Sequence, residues 1–222
     1  LNKEDESREC FVSRYGSNGT LVELDFNAYH PRLIASMVGY SFGTEDVYKH
    51  LAIQVNEGEQ ITADQIKTVK EDAFRQLYGG IRQQDLTIPF YYAANELSNA
   101  LWKEFNDKGF VVSPISGRHI KQSTHTDITA PKLFNYYLQM YETETNVRIV
   151  NKLAKALVRE DLLASMILYT YDSILFDVKQ YEMYNLLEKV INPSIDLTLF
   201  PVKIKMGDQY KNMVPYDPVD YV

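Results

Sequence analysis

The sequence predicts an α+β fold in which a small antiparallel sheet is combined with long helices. Two apolar, strand-like runs each contain an aspartate, Asp25 near the end of the first and Asp172 within the second. Between them, apolar residues recur at helical spacing over several long stretches. With 45% hydrophobic residues among 222, the chain can bury a substantial core, and we expect one folded unit with subdomains.

Composition argues against several classes of protein. The single cysteine, Cys10, excludes an internal disulfide and a multi-cysteine metal site. No apolar run reaches the roughly 20 residues that a membrane-spanning helix needs, so we expect no membrane partner. The net charge of −7 argues against a surface coated with phosphate-binding cations, although residues 67–82 and 113–135 are locally basic.

The first elements are two strands followed by a helix. Residues 9–13 and 20–26 are predicted as short strands, with turn residues at 15–19 between them. Asp25 then lies where the second strand meets a helix that begins near Pro31, because proline is tolerated in a first helical turn. A carboxylate at the end of one strand and another at a hairpin bend can meet at a sheet edge, which is a usual arrangement for binding divalent cations.

The central helix is predicted to carry a cation and two aromatic rings on one face. Thr62 and Gln65 form a capping box that opens a helix running to Tyr78, where two glycines end it. Lys70, Phe74 and Tyr78 follow one another at intervals of four residues and therefore share a face. An aromatic pair at this spacing is commonly core, but a buried stripe rarely begins with a lysine. The pattern favours a phosphate-binding cation beside stacking rings.

The remaining elements follow from periodicity and turn residues. The prediction places helices over residues 45–55, 90–107, 131–159 and 181–190, extended pieces over 109–119, and strands on both sides of Asp172 and over 197–206. The tail from Val214 contains two prolines and is predicted to be irregular.

Several segments, taken in order, resemble the motifs of the A-family DNA polymerases of the bacterial polymerase I type. Asp25 to Ala35 is similar to the first palm motif D-Y-S-Q-I-E-L-R-x-x-A, and Lys70 to Gly79 matches the fingers motif K-x3-F-x3-Y-G. Gly109 to Arg118 resembles G-Y-V-x-T-x-x-G-R, and Tyr171 to Val178 resembles H-D-E-L-V-F-E-V. Asn135 and Gln139 parallel the family's asparagine and glutamine ahead of that last motif. Order and approximate spacing agree over residues 8 to about 212, which makes the combination specific.

The resemblance implies a polymerase palm, an antiparallel sheet with helices, and a helical fingers subdomain. Residues 1–44 would form the first part of the palm, 45–129 the fingers and a connecting segment, and 130–222 the second part of the palm. Family members carry a thumb ahead of the palm, commonly preceded by an exonuclease domain. Since the chain has no length for either, we expect that portion in cis or as another subunit.

The resemblance also implies template-directed addition of deoxynucleotides to a primer 3′ hydroxyl. The partners would be primed DNA and dNTPs, and the cofactors two Mg²⁺ ions, with Mn²⁺ as an alternative. Asp25 and Asp172 would hold the metals, assisted by the Phe26 carbonyl. The residues implied in nucleotide binding are His30, Lys67, Lys70, Phe74 and Tyr78. Those implied in primer or template contacts are Arg32, Arg118, Asn135, Gln139 and Tyr171.

The chain departs from the family pattern in four places. The sugar-discriminating glutamate of the family is His30 in this chain, which cannot supply the same carboxylate hydrogen bond to Tyr78. The other family positions occupied by different residues are Tyr171 and Ser173 beside the second aspartate, Ile66 before the fingers lysine, and His119 after Arg118. Lys67, one step from Ile66, is expected to substitute on the phosphates.

Three functions stay open on the sequence. A DNA polymerase core is favoured by the ordered motifs and by Phe74. A single-subunit RNA polymerase-like enzyme with relaxed sugar selection is suggested by His30, and a non-catalytic DNA-binding or replisome-assembly module by the acidic charge. Richness in tyrosine and asparagine suggests a phage protein, so the expected location is a bacterial or phage-infected host cytoplasm.

Overall fold

The chain divides into two compact units. A computed structural model describes residues 6–43, 45–56, 58, 60–125 and 127–216. Residues 1–27 and 147–222 make up the first unit, and residues 28–146 make up the second. The helix Ala130–Arg159 contributes to both units, since the division falls between Asn146 and Val147. The assignment of palm and fingers to residue ranges stays a prediction.

In the described residues one strand precedes the first four long helices, and the other strands lie before and after the fifth long helix. In chain order the strands are β1 Gly19–Phe26, β2 Phe110–Val112, β3 His119–Lys121, β4 Ser165–Thr170, β5 Ser173–Lys179, β6 Val202–Gly207 and β7 Val214–Pro215. The helices of ten residues or more are α1 Tyr29–Val38, α2 Val47–Asn56, α3 Ala63–Gly79, α4 Pro89–Lys108 and α5 Ala130–Arg159. The predicted α+β class is confirmed.

The first unit is built on an antiparallel sheet in the order β4-β5-β1-β6-β7. The central strand β1 pairs with β5 and with β6, and Asp25 lies opposite Ser173 on β5 and Lys203 on β6. β1 and β5 are buried on both faces for most of their length, which explains why apolar residues occupy successive positions, as in Leu21-Val22 and Ile174-Leu175-Phe176. On one face Leu21 and Leu175 pack against Tyr210 in a small separate core.

The second unit is mainly helical. It contains α1 to α4, the first half of α5 and the β2-β3 hairpin. Its fully buried side chains include Leu33, Leu51, Leu77, Phe90, Phe105 and Leu133. No helix within the described residues combines the length and the apolar character that crossing a bilayer requires.

The signals predicted at the two ends of α3 are confirmed. The side chain of Thr62 accepts from the amide of Gln65, and the Gln65 side chain accepts from the amide of Thr62, so both bonds of the predicted capping box are present. Gly80, at φ 108°, lies beyond the end of α3 in a conformation that favours glycine.

Four predicted elements differ from the structure. The tail from Val214, predicted to be irregular, begins with the short strand β7, which pairs with β6. Residues 6–10 form a 3₁₀ helix rather than the start of a strand, and Val12 makes only an isolated bridge with Gln209. Residues 180–194 combine 3₁₀, α and π turns where one regular helix was expected. β6 begins at Val202 instead of Leu197, because the Asp196 side chain caps a turn by accepting from the amides of Thr198 and Leu199.

Candidate active site

In the first unit, the ends of two neighbouring strands bring Asp25 and Asp172 to one edge of the sheet. The amide of Phe26 donates a hydrogen bond to the carbonyl of Asp172 across 2.8 Å. Asp25, one residue earlier on β1, lies opposite Ser173, one residue after Asp172. The Asp25 side chain is 33% exposed and Asp172 is exposed, so both carboxylates are open to solvent.

The turn that carries Asp172 has an uncommon backbone. Tyr171 has φ 46°, in the left-handed region that bulky residues rarely adopt. The hydroxyls of Thr170 and Ser173 are 2.8 Å apart and close the hairpin on either side. The Tyr171 ring is 81% exposed. A strained, solvent-facing residue beside a candidate metal ligand is typical of functional sites.

A lysine lies beside Asp25. Lys205 on β6 places Nζ 3.0 Å from Glu23 Oε2 and 3.4 Å from Asp25 Oδ2. Glu23 is buried and also accepts a hydrogen bond from Tyr210 Oη at 2.9 Å. Burial alone would lower the pKa of Lys205, but the hydrogen bonds and charges of Glu23 and Asp25 hold it above its usual value. Asp25 is therefore partly neutralised by an internal cation.

Sequence reasoning missed both Lys205 and Glu23. Glu23 precedes Asp25 by two residues and so shares its face of β1. That spacing was readable in the sequence, and an acidic pair on one face of a buried strand indicates a nearby cation. The partner strand was not readable, because Lys205 is 180 residues away from Asp25.

The donor atoms at this edge fit a magnesium site better than a site for a softer metal. No group of three His, Cys, Asp or Glu side chains is arranged to hold a metal ion anywhere in the described part of the chain. Mg²⁺ commonly takes only one or two protein carboxylates and completes its octahedron with substrate phosphates and water. Asp25, Asp172 and the backbone carbonyl of Phe26 carry oxygen atoms of the type that Mg²⁺ accepts as ligands.

In the second unit, α3 presents the basic and aromatic face that its spacing predicts. The rings of Phe74 and Tyr78 stack with centroids 5.9 Å apart, and the Phe74 ring also lies 6.2 Å from that of Tyr48. Lys70 is exposed and holds Nζ 5.4 Å above the ring of Tyr48. Lys67 is exposed on the same helix. Cations and flat rings thus lie side by side on an accessible surface.

His30 and Tyr78 are hydrogen-bonded. The Nδ1 atom of His30 contacts Tyr78 Oη, and the two rings meet edge to face with centroids 5.8 Å apart. The Nε2 atom lies 3.0 Å from Glu142 Oε2 on α5. One nitrogen of the His30 ring therefore bonds directly to Tyr78. The other nitrogen contacts a carboxylate from a different helix, α5.

A polar loop in the second unit is tied to α5 by Glu144. Ser113 and Ser116 both donate to its carboxylate, Ser116 at 2.7 Å, and Arg118 Nε lies 3.6 Å away. Arg118 and Gln139 both line an open cavity of about 360 Å³. Gln139 also donates to Asn135 Oδ1 at 3.0 Å. Three residues implied in DNA contacts are thus near one another.

Arg32 has a different environment. The residue is 3% exposed, and its guanidinium donates to the carbonyls of Gly43 at 3.0 Å and Glu45 at 2.9 Å. Burial lowers its pKa. The contacts stabilise the segment that follows α1, and this burial favours a structural role over the implied contact with DNA, which stays a prediction.

The sequence was compared with family profiles and with curated proteins. No protein-family profile matches it, and no curated protein sequence matches it significantly.

Structural comparison gives clear matches. One solved structure that matches is the POL domain of Pol1 from M. smegmatis, in complex with DNA primer-template and dNTP, with a TM-score of 0.75 and 15% sequence identity. The match covers 94% of this chain and 43% of that chain. Identity at this level shows the fold alone. The resemblance predicted from the motifs is confirmed at that level, and the chain has the palm and fingers type of fold found in the polymerase domain of a bacterial DNA polymerase I.

Proposed function

We propose that this chain is the catalytic core of a template-directed DNA polymerase that adds deoxynucleotides to a primer 3′ hydroxyl. The observation that carries the proposal is the bond between the Phe26 amide and the Asp172 carbonyl, which brings two carboxylates to one sheet edge. The fold shared with a polymerase domain bound to primer-template and dNTP supports it. The match spans 43% of that chain, and a thumb portion would act together with the residues described above, in cis or as another subunit.

Asp25 and Asp172 are the proposed metal ligands, with the Phe26 carbonyl as a third oxygen donor. When bound there, two Mg²⁺ ions, or Mn²⁺ in their place, supply charge that favours the ionised 3′ hydroxyl and neutralises the triphosphate. The protein's own contribution is to hold Asp25 near the end of β1 and Asp172 in the hairpin turn beside it. Tyr171 would contact the primer or template next to them, since its ring projects into solvent from the same turn.

The second unit would bind the incoming nucleotide. Lys70 and Lys67 are exposed cations on α3 and are suited to phosphate oxygens. Phe74 would pack against the sugar, and Tyr78 against the nascent base pair. His30 would stand on the sugar side because it is bonded to Tyr78.

Duplex contacts would come from polar side chains around α5. Arg118 would position a phosphate, and Gln139 and Asn135 would reach bases from the minor groove. The proximity of Arg118 and Gln139 in one cavity supports this assignment.

A second candidate is a polymerase with relaxed sugar selection. It is favoured by His30, because the family's glutamate at this position would form a stronger hydrogen bond to Tyr78. The observed bond between His30 and Tyr78 weighs against it, because Tyr78 is held in place without that carboxylate.

The proposal is tested by single-nucleotide incorporation with Mg²⁺ and four templates that differ in their first unpaired base. Excess protein over DNA ensures that weak duplex binding does not limit the result. We expect each template to direct its complementary dNTP, and the matching rNTP to be used much less. Equal use of rNTPs would favour the second candidate. Incorporation that ignores the template, or none at all, would contradict the proposal and favour a non-catalytic module.

A further inference from the structure

Glu142 is a buried carboxylate that no sequence motif singles out. It lies on α5, is 7% exposed, and its Oε2 atom is 3.0 Å from Nε2 of His30. The His30 side chain is itself only 18% exposed. Burying a carboxylate costs free energy unless a hydrogen-bond or ion-pair partner compensates for the lost water. His30 is such a partner for Glu142.

Both nitrogens of the His30 ring have protein partners. An ionised carboxylate can only accept, so Nε2 must carry a proton. In the neutral ring this leaves Nδ1 as the acceptor for the hydroxyl of Tyr78. In the charged ring Nδ1 donates to the same oxygen. In either form the carboxylate fixes the orientation of the ring, as a carboxylate does when it supports a metal-bound histidine.

Tyr78 in turn stacks on Phe74. Three helices therefore contribute to one continuous chain of contacts, with Glu142 from α5, His30 from α1, and Tyr78 and Phe74 from α3. Because each group is held by the next, a change at Glu142 is transmitted to the ring surface offered to a nucleotide.

We infer that Glu142 is a positioning residue for sugar selection. It holds His30 in one tautomer and orientation, and His30 holds Tyr78, whose ring supports Phe74 on the sugar side of the incoming nucleotide. The sugar-selection half of this inference rests on the proposed polymerase function, whereas the positioning half does not.

The positioning half is tested by long-range ¹H–¹⁵N spectra of the four histidine rings in the ¹⁵N-labelled chain. His30→Gln assigns the signals of residue 30. We expect one tautomer protonated at Nε2 in the wild type, a mixture or the other tautomer in Glu142→Ala, and partial retention in Glu142→Gln, whose amide oxygen still accepts. Glu182→Gln removes a buried carboxylate in the first unit, where it accepts a hydrogen bond from the amide of Leu163, and it should leave the His30 signals unchanged. An unchanged His30 pattern in Glu142→Ala, or in Glu142→Gln if the alanine variant does not fold, overturns the inference.

The second readout is the ratio of dNTP to rNTP incorporation in single turnovers. Loss of one buried hydrogen-bond partner predicts a fall of about 10-fold in that ratio for Glu142→Ala, with recovery in Glu142→Gln. The Glu182→Gln ratio should equal that of the wild type. A changed tautomer with an unchanged ratio would overturn the sugar-selection half. If the wild-type chain does not extend primers, the proposed function fails and the spectra still decide the positioning role.

Discussion

The amide of Phe26 and the carbonyl of Asp172 form a 2.8 Å hydrogen bond between two segments far apart in sequence. This bond closes the end of the β1-β5 ladder beside the candidate carboxylates. Because it is a backbone bond, it persists whatever side chain occupies position 25 or 172. Substitution of either aspartate should therefore change the chemistry at this edge and leave the sheet intact.

Lys205 should weaken the binding of divalent cations at Asp25. Its ammonium lies 3.4 Å from the Asp25 carboxylate and competes with any other cation there. We expect Lys205→Met, which keeps the apolar part of the side chain, to bind Mn²⁺ about 10-fold more tightly. This factor corresponds to a gain of about 1.4 kcal/mol in the binding free energy of Mn²⁺ once the competing ammonium is removed. Electron paramagnetic resonance of free Mn²⁺ measures this directly.

Lys179 on β5 provides the control for that experiment. It has the same charge and lies in the same sheet, but it pairs with Gly19 at the opposite end of β1 from Asp25. Lys179→Met should bind Mn²⁺ as the wild type does. Equal affinity in both variants would show that Lys205 has no part in metal binding.

Tyr210 should make the first unit sensitive to alkaline pH. Burial, followed by the charge and hydrogen bond of Glu23, raises the pKa of Tyr210 above its usual value. A raised pKa in the folded state gives stability that is fully present below pH 10, the usual tyrosine value, and is lost as pH rises through the raised value. Chemical denaturation between pH 8 and 11 measures this loss.

In Tyr210→Phe the alkaline loss should be smaller, and stability at neutral pH should fall by about 1–3 kcal/mol because Glu23 loses a buried donor. Tyr181, which is exposed, serves as the control, and Tyr181→Phe should follow the wild-type curve. Identical pH dependence in wild type and Tyr210→Phe would be evidence against this reasoning.

Lys70 should contribute to nucleotide binding more than to the chemical step. A charge-assisted contact with a phosphate contributes about 1.5–3 kcal/mol, so Lys70→Ala should raise the KM for dNTP by about 10-fold or more. Single-turnover rates measured against dNTP concentration separate KM from kcat. Lys49→Ala, an exposed lysine on α2, is the control, and an effect of the same size there would count against the assignment.

How far the sequence predicts this molecule depends on the range of each interaction. The capping box at Thr62 and the shared face of Lys70, Phe74 and Tyr78 depend on residues within one or two helical turns, and both could be read directly. The proximity of Asp25 and Asp172 could be predicted because one lies at the end of a strand and the other at a hairpin bend. These features have local causes.

The missed features depend on distant residues. Lys205 reaches Asp25 only because β6 pairs with β1, and Glu142 reaches His30 only because α5 packs near α1. Arg32 matched a motif that implied a DNA contact, yet its burial depends on the carbonyls of Gly43 and Glu45 in a later segment. Among the described residues, no strand pairs with residues 6–10, so the predicted strand does not form there. Local sequence preference cannot show whether a partner strand exists.

The most direct test of the central claim is the rate of single-nucleotide incorporation in Asp25→Asn and Asp172→Asn with saturating Mg²⁺ and primed DNA. Asp161→Asn is the control, since Asp161 is exposed in the first unit and its φ of 52° is one that asparagine tolerates. We predict a loss of about 1,000-fold, or about 4 kcal/mol of transition-state stabilisation, in each site variant and none in the control. Rates within a few-fold of the wild type in Asp25→Asn and Asp172→Asn would contradict the account.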